Sequence, residues 1–204
     1  ILVQTEKEYT KRLRLAELTA PLIQIDIVDG KFSPNKTVGM DVVAQNPSTS
    51  LLEIQLMVDE PSSYIEACQG LEFVSRIIFP FECKENIDKV IKSVRDAKKL
   101  VGLSLNPTTT ISSAKDYFDR LDFVLLMTGR PGFSGQTLGE DTYARIKLLK
   151  DTSSLEVEID IGVNLENVGE LVAAGAKYLV ASSALFGEPD FDVAYNEMVR
   201  AANS

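Results

Sequence analysis

The chain has 204 residues, 45% hydrophobic and 25% charged, with a formal net charge of −9 and no histidine. That balance belongs to a folded globular chain of about one domain, and the acidic surplus without any basic run excludes nucleic acid as a partner. The missing imidazole excludes histidine bases, Ser–His and Cys–His pairs and histidine-rich metal sites, leaving acid–base chemistry to carboxylates, lysine, tyrosine or cysteine.

No apolar run nears the ~20 residues that cross a bilayer, and no signal peptide is visible, so a cytoplasmic protein without a membrane partner is expected. Two cysteines, Cys68 and Cys83, are too few for a disulfide framework and read as small buried residues. The first residue is Ile1 rather than Met, so a few native residues are expected ahead of it.

In chain order, short apolar runs alternate with longer amphipathic ones. Ile1–Val3 reads as a first strand and Glu6–Leu18 as a helix. Leu22–Val28 alternates, with Ile23, Ile25 and Ile27 on one face and Gln24, Asp26 and Val28 on the other, so it is a strand. After a Gly/Pro/Asn loop come a short helix at Asp41–Gln45, a strand at Leu51–Met57 and a helix at Pro61–Gln69 with proline at its start. A strand at Phe73–Phe79 precedes a helix at Glu85–Ala97, and a strand at Leu100–Leu105 stops at Asn106-Pro107. The remainder reads as helix Ser112–Tyr117, strand Phe123–Met127, helix Asp141–Leu149, strand Leu155–Asp160, helix Leu165–Ala174, strand Tyr178–Ala181 and helix Asp192–Ala202. Eight strands each followed by a helix predict one compact α/β domain over residues 1–204, a (β/α)8 TIM barrel. The competing fold is an open doubly wound sheet, which the absent G-x-G-x-x-G fingerprint disfavours.

In such a barrel the reactive groups stand at the C-terminal strand ends. The inward polar residues there are Gln24, Asp26, Gln55, Asn106 and Asp160, with Met57 and Met127 ending their strands in the same sense. Asp26 and Asp160 occupy matched positions in an internal echo, IDIVDG at 25–30 and IDIGVN at 159–164. Two opposed carboxylates suit removal of a proton from one face of a carbon and its return to the other. One layer down, Arg76 is predicted to pair with Glu53, Glu158 or both. Three glycine-rich segments follow the last strands: Gly132-Phe133-Ser134-Gly135-Gln136, the turn containing Gly162, and the stretch with Ser182 and Ser183. In this fold that rim cradles phosphate, so a phosphorylated substrate is expected.

Five ordered motifs then carry a family resemblance: IDIVDGKFSPN, QLMVDEPSSYIEA, VGLSLNPTT, LLMTGRPGFSGQ and EIDIGVNLENV with AGAKYLVASSALFG. The chain resembles ribulose-phosphate 3-epimerases from about Ile1 to Gly187. The resemblance implies a barrel that interconverts ribulose 5-phosphate and xylulose 5-phosphate in the pentose phosphate pathway. It implies Asp26 and Asp160 as catalytic residues, Gln55, Met57, Met127 and Asn106 around the sugar, and Gly132–Gln136, Gly162, Ser182 and Ser183 around the phosphate. It also implies self-association. Family members hold a divalent metal through two histidines and two aspartates, and both histidine positions are glutamine here, Gln24 and Gln55. An amide oxygen is a poor ligand for zinc or iron, so any metal on Gln24, Asp26, Gln55 and Asp160 is expected to be hard and weakly held, magnesium or manganese. Further departures are Val28 where a third methionine is usual, Pro80 for a site-facing histidine, and Ile161 and Ser182 for glycines. The alternatives are a non-catalytic relative that binds a phosphorylated ligand, and a decarboxylase or aldolase, which would need an inward lysine that is not among these positions.

Overall fold

The computed structural model describes all residues, Ile1–Ser204. Seven parallel strands form one sheet whose order is the chain order: β1 (Leu22–Val28), β2 (Leu51–Met57), β3 (Val74–Pro80), β4 (Leu100–Leu105), β5 (Phe123–Met127), β6 (Glu156–Asp160) and β7 (Tyr178–Val180). Around it run α1 (Glu6–Ala16), α2 (Met40–Gln45), α3 (Ser62–Ala67), α4 (Ile87–Asp96), a 3₁₀ helix (Ile111–Arg120), α5 (Thr142–Thr152), α6 (Val168–Ala174), the short α7 (Ser183–Phe186) and α8 (Phe191–Ala202). Each strand pairs with the next after a helical crossover, which curls the sheet into a nearly closed barrel. No helix is long and apolar enough to cross a membrane.

The barrel class agrees with the sequence reading, but the sheet has seven strands, not eight. Ile1–Val3 runs along β1 without joining the sheet as a strand. The Ile1 carbonyl accepts from the Asp26 amide at 3.1 Å, the Ile1 amine donates to the Gln24 carbonyl, and the Val3 carbonyl accepts from the Val38 amide at 3.0 Å. Val3 thus bonds to the loop beyond β1 rather than to the strand, and the ladder stops. Helix starts follow their caps. Asn86 accepts from the Lys89 amide at 3.1 Å and Asp190 from the Val193 amide at 3.1 Å. The predicted start of α6 at Leu165 moves to Val168 because Asn164 and Asn167 close a polar turn first, Asn167 Oδ1 accepting from the Asn164 amide at 2.9 Å.

Strand alternation sorts side chains into two apolar sets. Ile25, Leu52, Ile54, Ile77, Leu103, Val124 and Ile159 pack outward under the helices. Val28, Met57, Ile78, Phe123, Leu125, Met127 and Ile161 form a separate inward cluster. Below Ile78 and Leu125 lies a charged layer. Arg76, 4% exposed, donates to both Glu53 and Glu158, each 1% exposed. Its guanidinium also sits 4.0 Å from the Phe123 ring centroid and 4.1 Å from that of Tyr178. Gly102 makes room for this stack, since a Cβ there would collide with the Phe123 ring. One cation faces two carboxylates in a dry lumen. Burial and then the Glu53 charge raise the Glu158 pKa well above the ordinary carboxylate value.

Replacing Arg76 by leucine strands two buried glutamates and should cost about 3–5 kcal/mol in urea unfolding. Glu158→Gln, which mimics the protonated acid, should cost less than about 1 kcal/mol at neutral pH. Equal losses for the two variants would refute the raised pKa of Glu158.

Candidate active site

β1 delivers Asp26 and β6 delivers Asp160 to the same end of the lumen. In register, Asp26 pairs with Gln55 and Asp160 with Met127. Both strand ends are tied from behind. The Thr37 hydroxyl donates to the Asp26 carbonyl at 2.7 Å and accepts from the Val28 amide at 2.9 Å. The Thr128 amide and hydroxyl donate to the Asp160 carbonyl at 3.1 and 3.0 Å. These two threonines do not stand out in the sequence, because a hydroxyl soon after a strand end is too common a pattern to flag them.

The carboxylates share one amide. Gln24 Nε2 donates to Asp26 Oδ1 at 2.9 Å and to Gln55 Oε1 at 2.7 Å. With its amide turned end for end, Gln55 donates to Asp26 Oδ1 at 2.8 Å and to Asp160 Oδ2 at 3.0 Å. Burial, and next the Asp26 charge, raise the Asp160 pKa to about 7. One member of the pair is therefore poised to carry a proton near neutrality, as a two-carboxylate proton carrier requires.

Asp26 and Asp160 line a pocket together with Met57, Met127, Gly132, Phe133, Ser134, Gly135, Gly162, Ser182 and Ser183. Leu2, Ile161, Val163 and Val180 complete it. Four expected residues, Gln24 among them, lie outside it. Gln55 is fully buried between the carboxylates and Gln24. Asn106 does not line the pocket; its amide donates to Glu82 at 3.0 Å and its carbonyl accepts from Arg145 at 2.9 Å. The Gln136 amide closes its own loop on the Arg130 backbone at 2.8 and 2.9 Å. The β1–α2 loop clasps this rim, Ser33 donating to the Pro131 carbonyl and Asn35 to that of Gly132, both at 2.7 Å. A larger cavity of about 370 Å³ between the Thr108–Thr110 turn and α5 contains neither aspartate.

The turn after Asp160 is tight. Gly162 has φ +77°, and a Cβ there would collide with the Leu138 backbone nitrogen. Ile161 also sits at positive φ, +81°, an outlier for a β-branched residue. Thr128 holds it by donating to the Ile161 carbonyl at 2.6 Å, and its side chain packs into the apolar cluster with Met57 and Met127.

The four groups do not fit a zinc or iron ion. Two amides and two carboxylates lack the imidazole or thiolate those metals favour, and an amide N–H of Gln24 already lies between Asp26 and Gln55. The chain has no cluster of three or more His, Cys, Asp and Glu residues that could hold a metal. Gln24 Oε1 is buried without a partner, but one oxygen is not a cation cage.

A parallel barrel with paired carboxylates beneath a glycine-rich rim defines a class of phosphate-handling barrel proteins. A profile described as the ribulose-phosphate 3 epimerase family matches residues 1–186. The ribulose-phosphate 3-epimerase of Bacillus subtilis (strain 168) is 36% identical over 189 residues, covering 88% of this chain and 86% of that one. That of Chlamydia trachomatis serovar D is 37% identical over 181 residues, covering 84% of this chain and 77% of its own. Among solved structures, KGPDC from Streptococcus mutans superposes with TM-score 0.72 at 14% identity, covering 95% and 92% of the two chains, a likeness of fold. The chain belongs to the ribulose-phosphate 3-epimerase family.

Carboxylate 13C NMR should find Asp160 titrating near pH 7. In Asp26→Asn its midpoint should fall, because one of the two causes of the shift is then removed. An unchanged midpoint would show that the two aspartates do not interact.

Proposed function

We propose that the protein epimerises a ketose phosphate at C-3, interconverting ribulose 5-phosphate and xylulose 5-phosphate, with Asp26 and Asp160 as the two proton carriers. Convergence of these carboxylates, from β1 and β6, on one pocket under the glycine-rich rim is the observation that carries the reading. The ionised carboxylate takes the C-3 proton, which the neighbouring carbonyl acidifies, and an enediolate forms across C-2 and C-3. The protonated carboxyl then delivers its proton to the opposite face of C-3, and the pair ends with its proton on the other aspartate. With its raised pKa, Asp160 starts as the acid in one direction and Asp26 as the base, and the roles exchange in reverse. Met57, Met127, Val28 and Ile161 put an apolar wall at this level and exclude water from the intermediate. The phosphate rests against the backbone of Gly132–Gly135, Gly162 and Ser182–Ser183. The setting is cytoplasmic carbohydrate metabolism, with a phosphorylated sugar as partner and self-association as in the family.

The test is exchange of the C-3 proton of ribulose 5-phosphate in D2O, followed by proton NMR. The native protein should exchange it, while Asp26→Asn and Asp160→Asn should each lose at least about 10²–10⁴ in rate with the fold intact. Sugar-phosphate binding without exchange would identify a non-catalytic binding protein.

A further inference from the structure

We propose that the Gln24–Gln55 amide pair takes the place of a cation between Asp26 and Asp160, so that the site works without a bound metal and Gln55 acts as a positioning residue for both carboxylates. This rests on the epimerase reading above.

The contacts form a compact network from three strands. The inner end of the Gln55 amide lies 2.8 Å from Asp26 Oδ1, 3.0 Å from Asp160 Oδ2 and 2.7 Å from Gln24 Nε2, and Gln24 Nε2 lies 2.9 Å from Asp26 Oδ1. Two carboxylates brought to one atom repel unless a positive charge or N–H dipoles lie between them. Arg76 is not free for this, since it is bonded to Glu53 and Glu158 in the layer below. The Ile1 nitrogen, 3.6 Å from Asp26 Oδ2, is hydrogen-bonded to the Gln24 carbonyl. The amides remain. With Gln55 turned nitrogen-inward, its N–H groups point at both aspartates, and Gln24 turning with it presents an oxygen at 2.7 Å. Turned this way, Gln24 gives up its N–H bond to Asp26 and accepts from Gln55 instead.

Gln55 does this from a buried position. It has no exposed surface and does not line the pocket, whereas both aspartates do. It therefore touches the inner edges of the carboxyl groups and leaves their outer edges to the sugar. Its Nε2 reaches Met127 Sδ at 3.1 Å in the other orientation, so the amide is enclosed on both sides. A cation entering this space would have to displace the Gln55 amide from Asp26, Asp160 and Gln24.

Zinc and manganese titrations of the full chain by calorimetry, run beside the D2O exchange assay, test the proposal. The native protein should take up neither metal at micromolar concentration, and EDTA should leave exchange unchanged. Gln55→Leu should lower kcat about 10²-fold with KM nearly unchanged, and Gln55→Asn should restore part of it. Gln24→His/Gln55→His should gain a zinc site. One equivalent of zinc or manganese on the native protein, loss of exchange in EDTA, or full kcat in folded Gln55→Leu would each overturn the proposal. If the native protein exchanges no proton under any condition, the epimerase reading falls instead. The titration needs neither activity nor a variant, so it still decides whether a metal displaces the amides.

Discussion

A nearly closed ring of parallel strands turns every second side chain into a space that water does not fill, and charge placed there must be neutralised within the ring. Arg76 does this for the lower layer. Two hydrogen bonds hold Glu53 and Glu158, and two aromatic rings, Phe123 and Tyr178, enclose its guanidinium. Because this cation is fully engaged, the next layer receives no positive charge from below. The Gln24 and Gln55 amides meet the aspartates of this layer, and the raised pKa values of Glu158 and Asp160 share an origin in burial and a neighbouring carboxylate.

Above the carboxylates the order changes from polar to apolar. Val28, Met57, Met127 and Ile161 close over them, and the glycine-rich turns form the rim. Ile161 belongs to both layers. Its backbone is forced to positive φ by the turn that brings Gly162 against Leu138, and its side chain fills the cluster above Asp160. A β-branched residue in that conformation costs about 1–3 kcal/mol, and the Thr128 hydroxyl on its carbonyl helps hold it. The strain thus stands next to the carboxyl whose pKa is most relevant to the proposed chemistry.

Much of this is legible in the sequence because strands report themselves by alternation. β1, β2, β4 and β5 have the bounds that the hydrophobic pattern predicts, and the lumen residues Gln24, Asp26, Glu53, Gln55, Arg76, Glu158 and Asp160 follow from parity alone. Parity places a residue in the lumen but does not say at what depth. Gln55, expected beside the sugar, is level with Asp26 in register but fully buried and off the pocket wall, where Gln24 meets it. Asn106, expected in the site for its place at a strand end, does not line it; its backbone is bonded by Glu82 and Arg145, which come from other elements. The eighth strand is not readable because a three-residue run, Ile1–Val3, carries too little alternation to show whether its bonds go to a strand or to a loop.

Amides rather than imidazoles beside the two aspartates have a chemical consequence. A cation stabilises an enediolate by charge and tolerates errors of direction. An amide stabilises through a dipole whose sign reverses when the group is turned. Gln55 can meet two ionised carboxylates with N–H groups or a protonated one with its oxygen, so its orientation and the location of the site's proton are linked. In a two-carboxylate epimerase that proton changes sides with each turnover. In the metal-free site proposed above, a floor that accepts either arrangement without a change of net charge would give up the strong field of a metal and serve the proton on either aspartate.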